Sequence, residues 1–271
     1  MTSKKVMLTT LILAAAFTAL AGCSEKTRQP SALNSPYPAP KLWAVAPFRN
    51  ESGTTTADGL ALADKLTQQL QQVPGIRLVP VNRVLESFAA NRMNDITSVN
   101  EAEQIMRTLG ADGLIIGTIT AWDPYDPPKI GVAMDLYKRR AQQATAINTR
   151  KLTRAASSND LPNLIVHEKP VAQAGTYFDA ANGNVRQNLT AYAYGRAPQD
   201  SPAGWRKYLL SIDLYSEFVA HELARELFSS EWQRLTIERQ QLAEANARQQ
   251  NQQPTQTTDP TLTALGSRLN R

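Results

Sequence analysis

The residue with the most distinctive chemistry is Cys23, the only cysteine in the 271-residue chain. Lys4 and Lys5 precede an uncharged, mainly apolar run over 6–20. A run of about 15 residues suits the core of an export signal and is short for a membrane span. A lone thiol in an exported protein has no disulfide partner within its chain, so its sulfur is available for another modification. The sequence therefore predicts that residues 1–22 are an export signal and that Cys23 is modified.

The residues around Cys23 indicate what that modification is. Leu20, Ala21 and Gly22 place small residues directly before it, and this pattern resembles the lipobox of bacterial lipoproteins. The resemblance implies cleavage before Cys23, transfer of a diacylglycerol to its thiol, and acylation of the freed amine, for example with palmitate. Two or three acyl chains hold a protein stably, whereas one does so only marginally. Ser24, which is not Asp, implies by the same resemblance the outer membrane, with the globular part facing the periplasm.

Two histidines and two aspartates are the other candidates for chemistry. The segment starting at His221 opens like a zinc-protease helix, but Arg225 stands where the second imidazole is required. His167 lies in an irregular region. Asp123 and Asp126 can act as paired carboxylates in calcium binding or acid–base work, but Asp-Pro is also ordinary turn chemistry. We therefore predict no catalytic residue, no metal and no cofactor, and a protein that is not an enzyme.

Positive charge is concentrated in residues 138–170. Such a stretch is suited to anionic lipid head groups, lipopolysaccharide phosphates or an acidic partner. The alternative is a solvated loop. Nucleic acid is not a predicted partner, because the stretch lacks interleaved aromatic residues. The residues predicted to form this anionic-surface site are Arg139, Arg140, Arg150, Lys151 and Arg154.

Apolar periodicity supplies the elements that position these residues. Period-two runs predict strands over 41–48, 76–80, 113–122, 129–137 and 176–180. In the first strand, alternation places Leu42, Ala44 and Ala46 on the face opposite Trp43 and Val45. Period-3.6 runs predict helices over 59–72, 81–90, 101–109, 184–195 and 205–232. Asp58 is the predicted N-cap of the first helix and Gly110 the predicted C-cap of the third, and residues 49–53 are predicted as a turn. The third and fourth strands are expected to form an antiparallel hairpin. The predicted fold class is α/β (α+β), a mixed β-sheet with helices packed on it, plus a long C-terminal amphipathic helix and disordered ends.

Composition divides the chain into five parts. A proline-rich tether follows the signal, and its seventeen residues after Cys23 would reach roughly 50 Å if extended. The Gln-rich end has few apolar residues, which predicts disorder or a frayed helix. The predicted parts are a signal peptide over 1–22, a tether over 23–40, an α/β domain over 41–137 and 172–235, a basic insertion or loop over 138–171, and a disordered tail over 240–271.

Three segments match a known domain in their motifs. Residues 42–50 read Leu-Trp-Ala-Val-Ala-Pro-Phe-Arg-Asn, a short strand follows at 76–79, and residues 109–119 read Leu-Gly-Ala-Asp-Gly-Leu-Ile-Ile-Gly-Thr-Ile. Together they resemble the domain shared by the curli-secretion lipoprotein, the N-terminal domain of TolB and the penicillin-binding-protein activator LpoB. Residues 179–185 are similar to a later motif of the same group. The resemblance implies a mixed sheet covered by helices and a role in the envelope, and it carries over no catalytic residue.

The leading functional hypothesis is a lipid-anchored, non-enzymatic binding or assembly module of the envelope. The predicted partners are the membrane, through lipidated Cys23, and envelope proteins. The alternatives are a secretion-pore subunit like the curli channel, a regulator of a cell-wall synthase like LpoB, and an enzyme of unknown type. The sequence leaves the oligomeric state, the partner and the pathway open.

Overall fold

The computed structural model describes residues 32–139, 170–197 and 202–252, with the side chains of the last range described as far as residue 248. Within these residues the strands are β1 (Lys41–Val45), β2 (Arg49–Asn50), β3 (Ile76–Leu78), β4 (Gly113–Asp123), β5 (Lys129–Lys138) and β6 (Ala172–Asp179). They form one sheet in the order β3-β1-β4-β5-β6, with β2 also paired to β4. The parallel half of this sheet comprises β3, β1, β2 and β4, and the antiparallel half β4, β5 and β6. The predicted mixed α/β fold and its β4–β5 hairpin are confirmed.

The helices follow the predicted periodicity closely. Those described are α1 (Gly59–Gln71), α2 (Val81–Ala90), α3 (Val99–Leu109), α4 (Gly183–Ala193), α5 (Lys207–Leu210) and α6 (Ile212–Gln252). Asp58 caps α1 by accepting hydrogen bonds from the backbone of Leu60 and Ala61, as the sequence predicts. Gly110 ends α3 in the left-handed conformation, with φ of 66°, which suits glycine because it has no Cβ.

The central strand β1 is buried on both faces. Its side chains point alternately to the two faces of the sheet, and each face is covered by a different pair of helices. Trp43 and Val45 lie in one core with residues of α1 and α6. Ala44 and Ala46 lie in a second core with residues of α2 and α3. The predicted opposition of these two pairs is therefore confirmed. Two helical layers enclose the parallel half of the sheet, as expected for parallel strands.

The long helix α6 runs over β6 in the opposite direction. Near its start, the Tyr215 hydroxyl donates to the Phe178 carbonyl, and farther along, Ser230 Oγ lies 3.5 Å from the Gln173 backbone nitrogen. The prediction of one helix over 205–232 is wrong at both ends. Ser211 adopts an extended conformation between α5 and α6, and α6 continues to Gln252, past residue 240 where a disordered or frayed tail is predicted.

Two further segments differ from the sequence-based expectation. Residues 49–53 are predicted as a turn, but Arg49 and Asn50 form β2 beside Thr118 and Ile119 of β4. Residues 32–40 are predicted to belong to an extended tether, but Pro36 is buried and Leu33 and Tyr37 pack against the core. In the described part of the chain, no helix combines the length and apolarity that crossing a membrane requires.

Candidate functional site

Four side chains from distant parts of the sequence meet at one end of the sheet. Tyr37 precedes β1, Lys138 ends β5, and Glu231 and Arg234 lie one turn apart on α6. We call these four residues the anchor-side cluster, because Tyr37 belongs to the segment that follows Cys23. The cluster joins the N-terminal segment, the sheet and the long helix.

Glu231 is the centre of the anchor-side cluster and is 0% exposed. Its carboxylate accepts a hydrogen bond of 2.5 Å from the Tyr37 hydroxyl and a short charged contact from Lys138 Nζ. Arg234 donates to it through Nε at 2.7 Å and Nη2 at 2.8 Å. A buried carboxylate is costly unless it is paired and hydrogen-bonded, so each of these donors is needed where it lies.

Burial and hydrogen bonding shift the pKa in opposite directions for Glu231 and for Lys138. Burial raises the pKa of Glu231, but the hydrogen bonds from Arg234, Lys138 and Tyr37 lower it more, so the net pKa is below the ordinary value. Burial lowers the pKa of Lys138 despite its contact with Glu231. Burial and the bond to Glu231 raise the pKa of the Tyr37 phenol. The geometry therefore favours an ionised Glu231 and a protonated Tyr37 at neutral pH.

Tyr37 is also held by its ring. The ring meets Trp43 edge to face, with centroids 5.7 Å apart, and Lys138 Nζ lies 4.8 Å from its centroid. Trp43 in turn stacks on Phe228 of α6 at 5.8 Å. Leu33 packs against the same core. The N-terminal segment is thus attached through apolar, aromatic and charged contacts together.

The predicted lipidation site and most of the predicted basic site lie outside the described residues. These are Leu20, Ala21, Gly22 and Cys23 of the cleavage motif, and Arg140, Arg150, Lys151 and Arg154 of the basic stretch. Arg139 is described and is partly engaged, since its Nη2 lies 3.3 Å from the Asp112 carboxylate. Lys138 and Arg139 are the first two residues of the basic stretch, and Lys138 belongs to the anchor-side cluster.

The histidine on α6 is enclosed by the chain's own side chains. His221 is buried against the ring of Tyr192, with centroids 5.0 Å apart. Burial, with smaller contributions from Arg196 and Arg225, lowers the pKa of His221 to about 4. The side chain is therefore neutral at pH 7 and packs as part of the core. The other histidine, His167, lies outside the described residues.

The remaining chemical candidates also have local roles. Asp123 accepts a hydrogen bond from the backbone of Tyr125, which is the turn role that the sequence allows. Tyr208, Tyr215 and Phe218 are buried, whereas Trp232 is 42% exposed. Across the described ranges, no group of three His, Cys, Asp or Glu side chains is placed to hold a metal ion.

Sequence reasoning missed Tyr37 and Glu231, although each leaves a signal. Tyr37 is the only aromatic residue of the predicted tether and follows Leu33 by four positions. Glu231 stands four residues after Leu227 and eight after Leu223 on the apolar stripe of α6. A carboxylate at a position where helical spacing demands a core residue predicts a buried ion pair.

No protein-family model matches the chain, and no curated protein is similar to it in sequence. Solved structures do show similarity. Lipoprotein GNA1162 from Neisseria meningitidis is 16% identical, with 56% of this chain and 94% of that chain covered at a TM-score of 0.38. The LpoB C-terminal domain from Escherichia coli is 14% identical, with 37% of this chain and 73% of that chain covered at a TM-score of 0.30. The PelC dodecamer from Paraburkholderia phytofirmans is 13% identical, with 74% of this chain and 94% of that chain covered at a TM-score of 0.33.

These similar structures include bacterial lipoproteins, and LpoB is one of the proteins whose motifs the sequence resembles. At this identity, and with TM-scores below 0.5, the likeness does not extend to function.

Proposed function

We propose that this chain is a lipid-anchored protein of the bacterial envelope that acts as a non-enzymatic binding or assembly module. In this proposal Cys23 carries the lipid, the outer membrane holds it, and the domain faces the periplasm. The observation that carries the proposal is the attachment of Tyr37 to Glu231. This bond connects the segment after the lipidation motif to a fixed point on the domain. A lipid anchor can orient a binding surface only if the chain is attached to the domain in this way.

The buried polar groups support a binding role over catalysis. Glu231 is engaged by Tyr37, Lys138 and Arg234, and Glu222 by Asn188 and Arg225. His221 lies against Tyr192. Each of these groups holds α6 against a neighbouring element, so their role is structural.

The experiment compares export of the wild-type chain with Cys23→Ser in a bacterium with two membranes, using labelled palmitate and membrane fractionation. We expect the wild type to take up label and to fractionate with the outer membrane. We expect Cys23→Ser to stay unlabelled and to lose the membrane association. Ser24→Asp is the matched control, because lipidation should persist while the protein moves to the inner membrane. A wild-type chain without label would overturn the proposal.

A second proposal concerns the basic stretch, and it is favoured by where that stretch begins. Lys138 lies beside Tyr37 in the anchor-side cluster, so the basic stretch begins at the end of the sheet where the N-terminal segment is attached. We propose that Arg139, Arg140, Arg150, Lys151 and Arg154 contact an anionic surface such as lipid head groups.

Liposome binding tests this second proposal. Replacing Arg139, Arg140, Arg150 and Lys151 together with Ser should weaken binding to anionic liposomes and lower its salt sensitivity. Lys138 is left intact because Glu231 needs it. Arg83→Ser combined with Arg186→Ser, on exposed helix surfaces elsewhere, is the control. Equal binding by both variants would contradict the proposal.

A further inference from the structure

A groove of about 330 Å³ separates α1 from α2 on the domain surface. Leu60 on α1 and Leu85 on α2 line it and are 40% and 38% exposed. They are among the larger exposed apolar side chains of the described residues. The volume is at the lower end of the range for ligand sites. The groove lies on elements that do not contribute to the anchor-side cluster.

The α1 wall of the groove is a continuous polar stripe. Asp64, Thr67, Gln68 and Gln71 all line it, and their spacing of three and four residues places them on one helical face. Within the described ranges, none of these four side chains has a hydrogen-bond or ion-pair partner. Thr67 is 5% exposed, and its hydroxyl is fully buried without a partner. That hydroxyl is closed off from the groove, so the polar atoms that the α1 wall offers to a ligand are those of Asp64, Gln68 and Gln71.

Asp64 gives the groove a negative charge that nearby cations leave unneutralised. Lys65 on the next position pairs with Asp213 at 2.7 Å and lies 3.6 Å from Glu217. Arg83 on α2 pairs with Glu86 at 2.7 Å. The groove therefore favours a ligand that brings its own cation.

The dimensions and the chemistry of the groove together specify the ligand class. Leu60 to Gln71 spans about 16 Å along a helix, which matches about five residues of extended chain. The amides of Gln68 and Gln71 can both donate to and accept from a peptide backbone. We propose that this groove binds an extended peptide segment of a partner, with an aliphatic side chain between Leu60 and Leu85 and a Lys or Arg side chain at Asp64.

This inference rests on the proposed role as a binding module, but its test uses no membrane, so the two can fail separately. The full chain in detergent is titrated with the capped peptide Ala-Leu-Lys-Leu-Ala and with the same peptide carrying Glu in place of Lys. We expect the lysine peptide alone to bind. Asp64→Asn should weaken that binding about fivefold, as for a partly exposed ion pair. Asp64→Lys should reverse the preference and bind the glutamate peptide.

Thr67→Val changes a buried hydroxyl of the α1 wall with nearly unchanged shape, so it is a control that should leave peptide binding unchanged. Glu86→Gln, an exposed change on α2, is the matched control and should leave binding unchanged. Thermal unfolding of each variant separates lost binding from lost folding. The proposal is overturned if the wild type binds neither peptide at millimolar concentration, or if Asp64→Asn and Asp64→Lys bind both as the wild type does.

Discussion

The hydroxyl of Tyr37 donates a hydrogen bond of 2.5 Å to the carboxylate of Glu231, although 194 positions separate the two residues. The bond joins a segment that composition assigns to a flexible tether with a helix that composition assigns to the core. Lys138 and Arg234 complete the partners of Glu231. The N-terminal segment is therefore part of the folded domain from Leu33 onward.

Removing the carboxylate should be the more damaging change in this cluster. Glu231→Ala leaves Lys138 and Arg234 partly buried without their partner, which we expect to lower the free energy of unfolding by about 3 kcal/mol. Tyr37→Phe keeps the ring contact with Trp43 and removes one hydrogen bond, which we expect to cost about 1 kcal/mol. Urea unfolding measures both. Glu238→Ala, an exposed partner of Arg234, should cost less than either.

Glu231 should also steepen the loss of stability in acid. Its pKa in the folded protein lies below its ordinary value of 4.5 because the hydrogen bonds from its partners outweigh the effect of burial. Below pH 4.5 the unfolded chain therefore takes up a proton that the folded chain does not, and stability falls with pH. We expect Glu231→Gln to have a shallower fall in this range, measured by urea unfolding at several pH values. An unchanged slope would contradict the assignment.

Protonation of His221 should lower the stability of the fold over a separate and higher pH range. Burial lowers its pKa from 6.5 to about 4, so between these values the unfolded chain binds a proton that the folded chain excludes. Stability should fall by roughly 3 kcal/mol as the pH drops from 6.5 to 4 and should lose nothing further from this group below pH 4. His221→Leu should remove that part of the pH dependence. Retention of the full dependence in this variant would assign it to other groups.

Two glycines at equivalent helix positions should respond in opposite ways to the same substitution. Gly59 begins α1 after the cap Asp58, and Gly183 begins α4 after the cap Asn182. A Cβ at Gly59 would lie 1.8 Å from the Phe48 carbonyl oxygen, whereas one at Gly183 meets nothing within 4 Å. We expect Gly59→Ala to cost about 3 kcal/mol. Gly183→Ala should be neutral or stabilise by up to about 1 kcal/mol. Thermal and urea unfolding compare the two.

The sequence was sufficient for elements whose signal is local. The helix α2 has the predicted bounds of Val81–Ala90, and Asp58 and Gly110 are the predicted caps. These features depend on side-chain spacing and on backbone conformation within a few residues. The β4–β5 hairpin is similarly local, because a short turn connects its strands.

The features that the sequence did not predict depend on distant contacts. Arg49 and Asn50 form a strand because Thr118 and Ile119 lie beside them, and their own composition is typical of a turn. Tyr37 is fixed by Glu231 and Trp43, which lie on other elements. The helix break at Ser211 has no Gly or Pro to mark it. Tertiary contacts override local preference in each case.

The docking of residues 32–40 has a consequence for encounters at the membrane. With Leu33 packed on the core, nine residues separate Cys23 from the domain, and an extended chain of that length reaches about 30 Å. Under the proposed lipidation, the domain would be confined to a thin layer above the bilayer. Two proteins confined to the same thin layer are at a higher local concentration than they would be in free solution. A groove with only weak affinity would then be occupied more by a peptide that belongs to a neighbour in the same membrane than by an equal amount of the same peptide free in solution.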